Sequence, residues 1–146
     1  MKIMIINGPN INLLGIREPD IYGNNTYDDM VSFIRDMRGE DSDAGHELCF
    51  FQSNHEGAII DEIQYAYREG FDGIVINAAG YTHTSIAIMD ALKAVQIPTV
   101  EVHLSDPSLR EDYRHHSYIS EVAVATLAGD HFNGYIDAID ILSEQR

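Results

Sequence analysis

Two hydrophobic rhythms alternate along the chain. Residues 3–6, 48–51, 74–76, 99–102 and 122–127 form short runs that are almost continuously apolar, and mostly β-branched or aromatic. Such runs predict strands buried on both faces of a parallel sheet. Between them, apolar residues recur at helical spacing. Met30, Phe33, Ile34 and Met37 follow Thr26, a residue suited to cap a helix. Ile59, Ile60, Ile63, Ala66 and Tyr67 make a second apolar stripe that ends at Gly70. Ile88, Met89, Leu92 and Val95 make a third, which stops before Pro98. Phe132, Tyr135, Ile136, Ile139 and Leu142 make the last. Ser108 and Glu111 have the spacing of a capping box, which predicts a short helical turn starting at Ser108. Strands alternating with helices imply right-handed crossovers and a doubly wound α/β sheet, and five strands suit a flavodoxin-like arrangement.

The chain has 146 residues, which predicts a single domain over 1–146 with an ordinary hydrophobic core, since 45% of the residues are apolar. Its one cysteine, Cys49, sits inside an apolar run, so neither a disulfide framework nor a multi-cysteine metal cluster is available. No apolar stretch approaches the ~20 residues that span a bilayer, and the first apolar run is too short for a signal peptide. A cytoplasmic setting is the expectation. The 24 acidic residues outnumber the 9 basic ones, for a net charge of −15. That surface repels phosphate backbones and anionic headgroups, so neither nucleic acid nor membrane is an expected partner.

In an open parallel sheet, ligands bind beyond the carboxyl ends of the strands. Here those ends are polar four times over: Asn7 to Asn12 after the first strand, Gln52 to Glu56 after the second, Asn77 and Tyr81 to Ser85 after the third, and His103 to Asp106 after the fourth. One such loop is an ordinary turn; four together indicate a site. No glycine-rich phosphate loop follows the first strand, so a dinucleotide or nucleoside triphosphate is not indicated. The loop is not the Ser/Thr-rich one a flavin would want, there is no nucleophile elbow, and the seven histidines lack zinc-ligand spacing. What remains is an array of amides, hydroxyls and imidazoles suited to a small polyhydroxylated substrate and no cofactor. The segment at about 15–24 is long for a strand-to-helix connection and reads as a lid between glycines. A tyrosine with an ordinary pKa near ~10 acts as a base at neutral pH only beside a cation, which Arg17 can supply to Tyr22. The local sequence equally allows a packed Tyr22 with Arg17 in a surface ion pair.

Six motifs resemble the type II 3-dehydroquinate dehydratases: Asn-Gly-Pro-Asn-Ile-Asn-Leu-Leu-Gly (7–15), Arg-Glu-Pro-Asp-Ile-Tyr-Gly (17–23), Phe-Gln-Ser-Asn-His-Glu-Gly (51–57), Tyr-Thr-His-Thr-Ser (81–85), Val-Glu-Val-His-Leu-Ser (100–105) and Tyr-Arg-His-His-Ser-Tyr-Ile-Ser (113–120). They lie in the family's order and cover nearly the whole chain. The resemblance implies a flavodoxin-like lyase, without cofactor or metal, that converts 3-dehydroquinate to 3-dehydroshikimate and assembles as a dodecamer of trimers. It implies Tyr22 as general base aided by Arg17, and His103 as general acid oriented by Glu101. Asn10 would support the enolate, while Asn77, His83 and Arg114 would bind substrate hydroxyls. Backbone N–H groups of Leu104 and Ser105 would cradle the carboxylate, and Asp90 would complete a neighbouring subunit's site. The chain departs from the family pattern at Ala79, where glycine is common, and at Asp106, commonly asparagine, whose charge a pair with Arg110 would offset. Two rival readings compete with the lyase: a non-catalytic flavodoxin-like module that binds a small ligand, and a scaffold subunit whose polar loops face a partner.

Overall fold

The computed structural model describes residues 1–16, 18–22 and 24–145, with the backbone alone at Tyr22. Five strands, β1 (Lys2–Asn7), β2 (Glu47–Gln52), β3 (Gly73–Asn77), β4 (Thr99–His103) and β5 (Ala125–Ala128), form one sheet in the order β2-β1-β3-β4-β5. Every pairing is parallel. The helices are a single turn α1 (Pro19–Tyr22), then α2 (Tyr27–Arg38), α3 (Glu56–Arg68), α4 (Ile86–Val95) and α5 (Asn133–Glu144). This is the flavodoxin-like, doubly wound α/β architecture the alternating runs predict.

Successive strand residues point to opposite faces, so each central strand feeds two cores. Ile3, Ile5, Val75, Val100 and Val102 pack with Met30 and Ile34 of α2 and with Tyr135, Ile136 and Ile139 of α5. Met4, Ile6, Ile74 and Ile76 pack on the other face with Ile59 and Ile63 of α3 and Ile88 and Leu92 of α4. Full burial of each such side chain is worth about 1.5–3 kcal/mol, which holds the strand ends in place. The start of α2 follows its sequence signal, and α4 is capped in the same way. Thr26 Oγ1 accepts from the Asp29 N–H at 3.1 Å while Asp29 returns a bond to the Thr26 N–H at 2.9 Å. Ser85 Oγ accepts from the Ile88 N–H at 2.9 Å. Arg38 and Asp140 clamp α2 to α5 through two parallel bonds of 2.7 and 2.8 Å.

Four sequence expectations need correction. The fifth strand begins at Ala125, because the Val122 and Ala123 N–H groups turn back onto the Ile119 carbonyl and only the Val124 N–H reaches Thr99 of β4. Burial on both faces holds for β1, β3 and β4, whereas the outer strands β2 and β5 are only partly covered. Met37 and Tyr67 sit at the margins of their stripes and are 45% and 64% exposed. Finally, the turn near Ser108 is a 3-10 turn over Pro107–Leu109 capped by Asp106, whose carboxylate accepts from the Ser108 N–H at 3.0 Å. The preceding aspartate already serves that N–H, so Ser108 is inside the turn and not its cap.

The chain leaves β1 toward α2 on one face and leaves β3 toward α4 on the other. Their last residues, Asn7 and Asn77, are register partners. The crevice between these carboxyl ends is the topological switch point of the sheet.

Candidate active site

A cavity of about 180 Å³ opens at that switch point. It is lined by Asn10 from the loop after β1, by Asn77, Ala79 and His83 after β3, by His103, Leu104 and Ser105 after β4, and by Arg110 and Arg114 beyond. The volume suits a small molecule and is far below what a dinucleotide needs.

Asn10 is held by its backbone. Its φ of +71° lies in the left-handed region, which asparagine tolerates better than most residues. Its N–H donates to Asn54 Oδ1 at 3.0 Å, and Asn54 is fixed by the Tyr81 hydroxyl on its carbonyl at 2.8 Å. Gln52 Nε2 donates to the Gly8 carbonyl at 3.1 Å. Gly8 itself admits no side chain, since a Cβ there would lie 2.4 Å from the Ala78 carbonyl oxygen. The polar loop after β2 therefore positions the loop after β1.

Asn77 is oriented from below. Its Oδ1 accepts from the Ala79 N–H at 3.2 Å, and its Nδ2 donates to the Tyr135 hydroxyl at 3.1 Å. Tyr135, fully buried, donates onward to Asn7 Oδ1 at 2.6 Å. Burial pushes the Tyr135 phenol well above its ordinary pKa, so it stays protonated. Ala79 has φ of +52°, a backbone conformation that favours glycine.

His103 Nε2 lies 2.6 Å from Glu101 Oε2, two residues back on the same face of β4. Glu101 is wholly buried. Burial alone would raise its pKa, but hydrogen bonds from His103, Ser117 and Ser120, with the charge of His103, outweigh it and hold the carboxyl at about 2. Glu101 is thus an anion throughout the physiological range.

On the opposite wall, His83 Nδ1 is 2.8 Å from the His116 carbonyl, which fixes the ring with its other nitrogen left for a ligand. Burial, partly offset by that bond, lowers the His83 pKa and favours the neutral ring. Arg114 Nε bonds Glu111 at 2.8 Å, and Arg110 lies 3.8 Å from Glu18 and 3.9 Å from Glu111. Two guanidinium groups thus border the cavity, both beside glutamates that offset their charge. The Asp106 carboxylate is engaged by Ser108 Oγ at 2.7 Å and by its N–H, which lower its pKa.

Of the residues singled out from the sequence, Asn10, Asn77, His83, His103, Leu104, Ser105 and Arg114 meet around this cavity, and Glu101 stands behind His103. Asp90 is exposed on α4 and is not among the residues lining the cavity of its own chain. Arg17 and the side chain of Tyr22 lie outside the described residues. Sequence reasoning missed Tyr135, which reads as one more apolar position of its helix. It also missed the hydroxyls around Glu101; a carboxylate in the middle of a buried strand was the signal that donors had to be found for it.

A sequence model of the class II dehydroquinases matches residues 1–143. The 3-dehydroquinate dehydratase of Fusobacterium nucleatum is 52% identical over 144 residues, covering 99% of this chain and 97% of the relative. The 3-dehydroquinate dehydratase of Corynebacterium glutamicum is 51% identical over 142 residues, covering 97% and 95%. The crystal structure of a type II dehydroquinase from Butyrivibrio crossotus superimposes with a TM-score of 0.94 at 50% identity, covering 98% of this chain and 97% of that one. With the switch-point cavity and its His103–Glu101 pair in the same chain, these matches establish that the protein belongs to the class II dehydroquinase family.

Proposed function

We propose that the chain is a hydro-lyase that dehydrates 3-dehydroquinate to 3-dehydroshikimate in the shikimate pathway. The observation that carries this reading is His103, backed by the anionic Glu101 and opening on a small cavity rimmed by Asn10, Asn77, His83 and Arg114. The substrate ketone acidifies the carbon beside it, so the reaction needs a base, a support for the enolate oxygen and an acid, and calls for no cofactor.

Tyr22, held as tyrosinate by the charge of Arg17, removes the proton from carbon 2. Asn10 supports the enolate oxygen through a water. The electron pair of the enolate then forms the new double bond as the carbon 1–oxygen bond breaks, and His103 gives its proton to the departing hydroxyl, which leaves as water. Leu104 and Ser105 N–H groups receive the carboxylate, and Asn77, neutral His83 and Arg114 receive the ring hydroxyls. The segment at about 15–24 is the lid that brings the base over the bound substrate, in one catalytic domain over 1–146. The assembly is a dodecamer of trimers in the cytoplasm. Asp90, exposed on α4, serves a neighbouring subunit's site.

The test is direct. The conjugated enone of the product absorbs in the ultraviolet, so purified protein mixed with 3-dehydroquinate gives a rising absorbance. Binding without that rise would favour a ligand-binding module instead. Tyr22→Phe should lower turnover by ~10²-fold or more while retaining a product-like inhibitor.

A further inference from the structure

Every acceptor position of the Glu101 carboxylate is taken. Oε2 receives His103 Nε2 and the Ser117 hydroxyl, each at 2.6 Å. Oε1 receives the Ser120 hydroxyl and, at 2.9 Å, the Thr126 hydroxyl. An ionised carboxylate has about four lone-pair sites and no proton to donate. The direction of the Ser117 hydroxyl is fixed independently, because its oxygen accepts from the Ser120 N–H at 3.1 Å and its single proton goes to Glu101.

The fold builds this cage from three places. Thr126 of β5 is the register partner of Glu101 on β4. Ser117 and Ser120 flank Ile119, which is fully buried against Ile88 and Leu92 and pins the segment over the carboxylate. Ser120 and Thr126 are themselves exposed while Glu101 is 0% exposed, so the hydroxyls form the roof between the carboxylate and solvent.

We infer that Ser117, Ser120 and Thr126 are positioning residues that keep Glu101 ionised, so that His103 donates through Nε2 to Glu101 and presents Nδ1 to the substrate. A protonated Glu101 would displace one of these donors: either the Ser120 or the Thr126 hydroxyl would have to turn toward the other, 3.2 Å away, or His103 would have to give up its Nε2 proton. The cage therefore favours the carboxylate, and a carboxylate that cannot donate requires a proton on Nε2. Elimination then uses the proton of Nδ1: the imidazolium gives it to the departing hydroxyl and remains neutral with Nε2–H still bonded. The inference rests on the reading of His103 as the general acid. The other ionisable groups that act on His103 are His83 across the cavity, itself beside Arg114, and Asp106 on the following loop.

The experiment pairs kinetics with ring-nitrogen NMR. In Ser117→Ala/Ser120→Ala the lost donors let burial raise the Glu101 pKa, so the acid limb of the kcat profile should move up by about one pH unit or more. Plateau kcat should fall about tenfold, part of the ~10²–10⁴-fold that a placed acid contributes, with KM changing less than about twofold. Ser117→Thr/Ser120→Thr, which keeps both hydroxyls, should restore the profile. If the alanine pair fails to fold, Thr126→Val removes one donor and reads the same shift at smaller size. In ¹⁵N-histidine protein, the His103 signals, assigned by their loss in His103→Gln, should show the proton on Nε2 in the parent and a shifted equilibrium in the alanine pair. An unmoved acid limb with unchanged NMR, or kcat and KM altered together without a pH shift, overturns the inference. A parent protein that does not dehydrate 3-dehydroquinate sinks the functional reading instead, and the NMR arm still decides the tautomer.

Discussion

Tyr135, in the first turn of the last helix, accepts a hydrogen bond from Asn77 at the carboxyl end of the central strand, 3.1 Å away and 58 residues distant in sequence. The same hydroxyl donates to Asn7 at 2.6 Å, so one phenol joins the register partners that flank the switch point. Asn77 is thereby oriented, with its Oδ1 accepting from the N–H of Ala79, whose backbone is in the left-handed region.

Tyr135→Phe keeps the ring and deletes that junction. It leaves buried amide groups of Asn7 and Asn77 without partners, each costing ~1–3 kcal/mol, so a loss of a few kcal/mol in denaturant unfolding is expected. Substrate KM should rise as Asn77 loses its orientation. Unchanged stability and KM would mean that the two amides pair adequately without the phenol.

Ala79→Gly should stabilise the protein. A non-glycine residue in the left-handed region costs roughly 1–2 kcal/mol, and the added chain entropy of glycine returns roughly 0.5–1 kcal/mol of that. A net gain of up to about 1 kcal/mol is expected from thermal or urea midpoints. A lower midpoint would show that the alanine methyl makes contacts worth more than the strain.

Glu101 makes the fold sensitive to acid. Its folded pKa of about 2 lies below the ordinary value of 4.5, so its contribution is fully present above that ordinary value and is lost as pH falls through about 2. The difference corresponds to roughly 3 kcal/mol. Stability measured from pH 5 to pH 2 should fall more steeply in the parent than in Glu101→Gln, which is less stable at neutral pH and flatter across this window. Parallel slopes would argue against the depressed pKa.

His103→Ala should separate the two halves of the reaction. Exchange of the carbon 2 proton with deuterated solvent should persist in part while formation of the enone stalls. Equal loss of both would assign His103 a binding role.

Charge should govern the assembly. A net charge of −15 per chain would give the proposed dodecamer about −180 before counterions bind. The Debye length grows from ~10 Å at 0.1 M salt to ~30 Å at 0.01 M, so light scattering should show loosening toward trimers as salt is removed. Activity should survive at the trimer stage if Asp90 reaches across a trimer contact. A fully active monomer would refute both the assembly and that role of Asp90.

Much of the architecture was legible along the chain because it rests on local periodicity. Apolar runs marked β1, β3 and β4 closely, and the Thr26 cap and the stop at Gly70 coincide with helix ends. Polar residues after four of the strands pointed to this edge because strand ends in a parallel sheet share it. The start of β5 was misplaced because Val122 and Val124 are as β-prone as strand residues, and only the backbone bonds to Ile119 take the first of them out of the sheet.

What the residues determined by themselves is the layering of the sheet and which loops carry the chemistry, since periods of two and 3.6 are properties of neighbours in the chain. The partners across the fold were decided by tertiary structure alone. Nothing near Tyr135 in sequence announces Asn7 and Asn77, and nothing near Glu101 announces Thr126 or the two serines that cover it. A buried polar group must find a donor or acceptor somewhere, but the sequence states only that need. Which group answers it depends on the crossing of elements separated by tens of residues, and so does the setting of the His103–Glu101 pair.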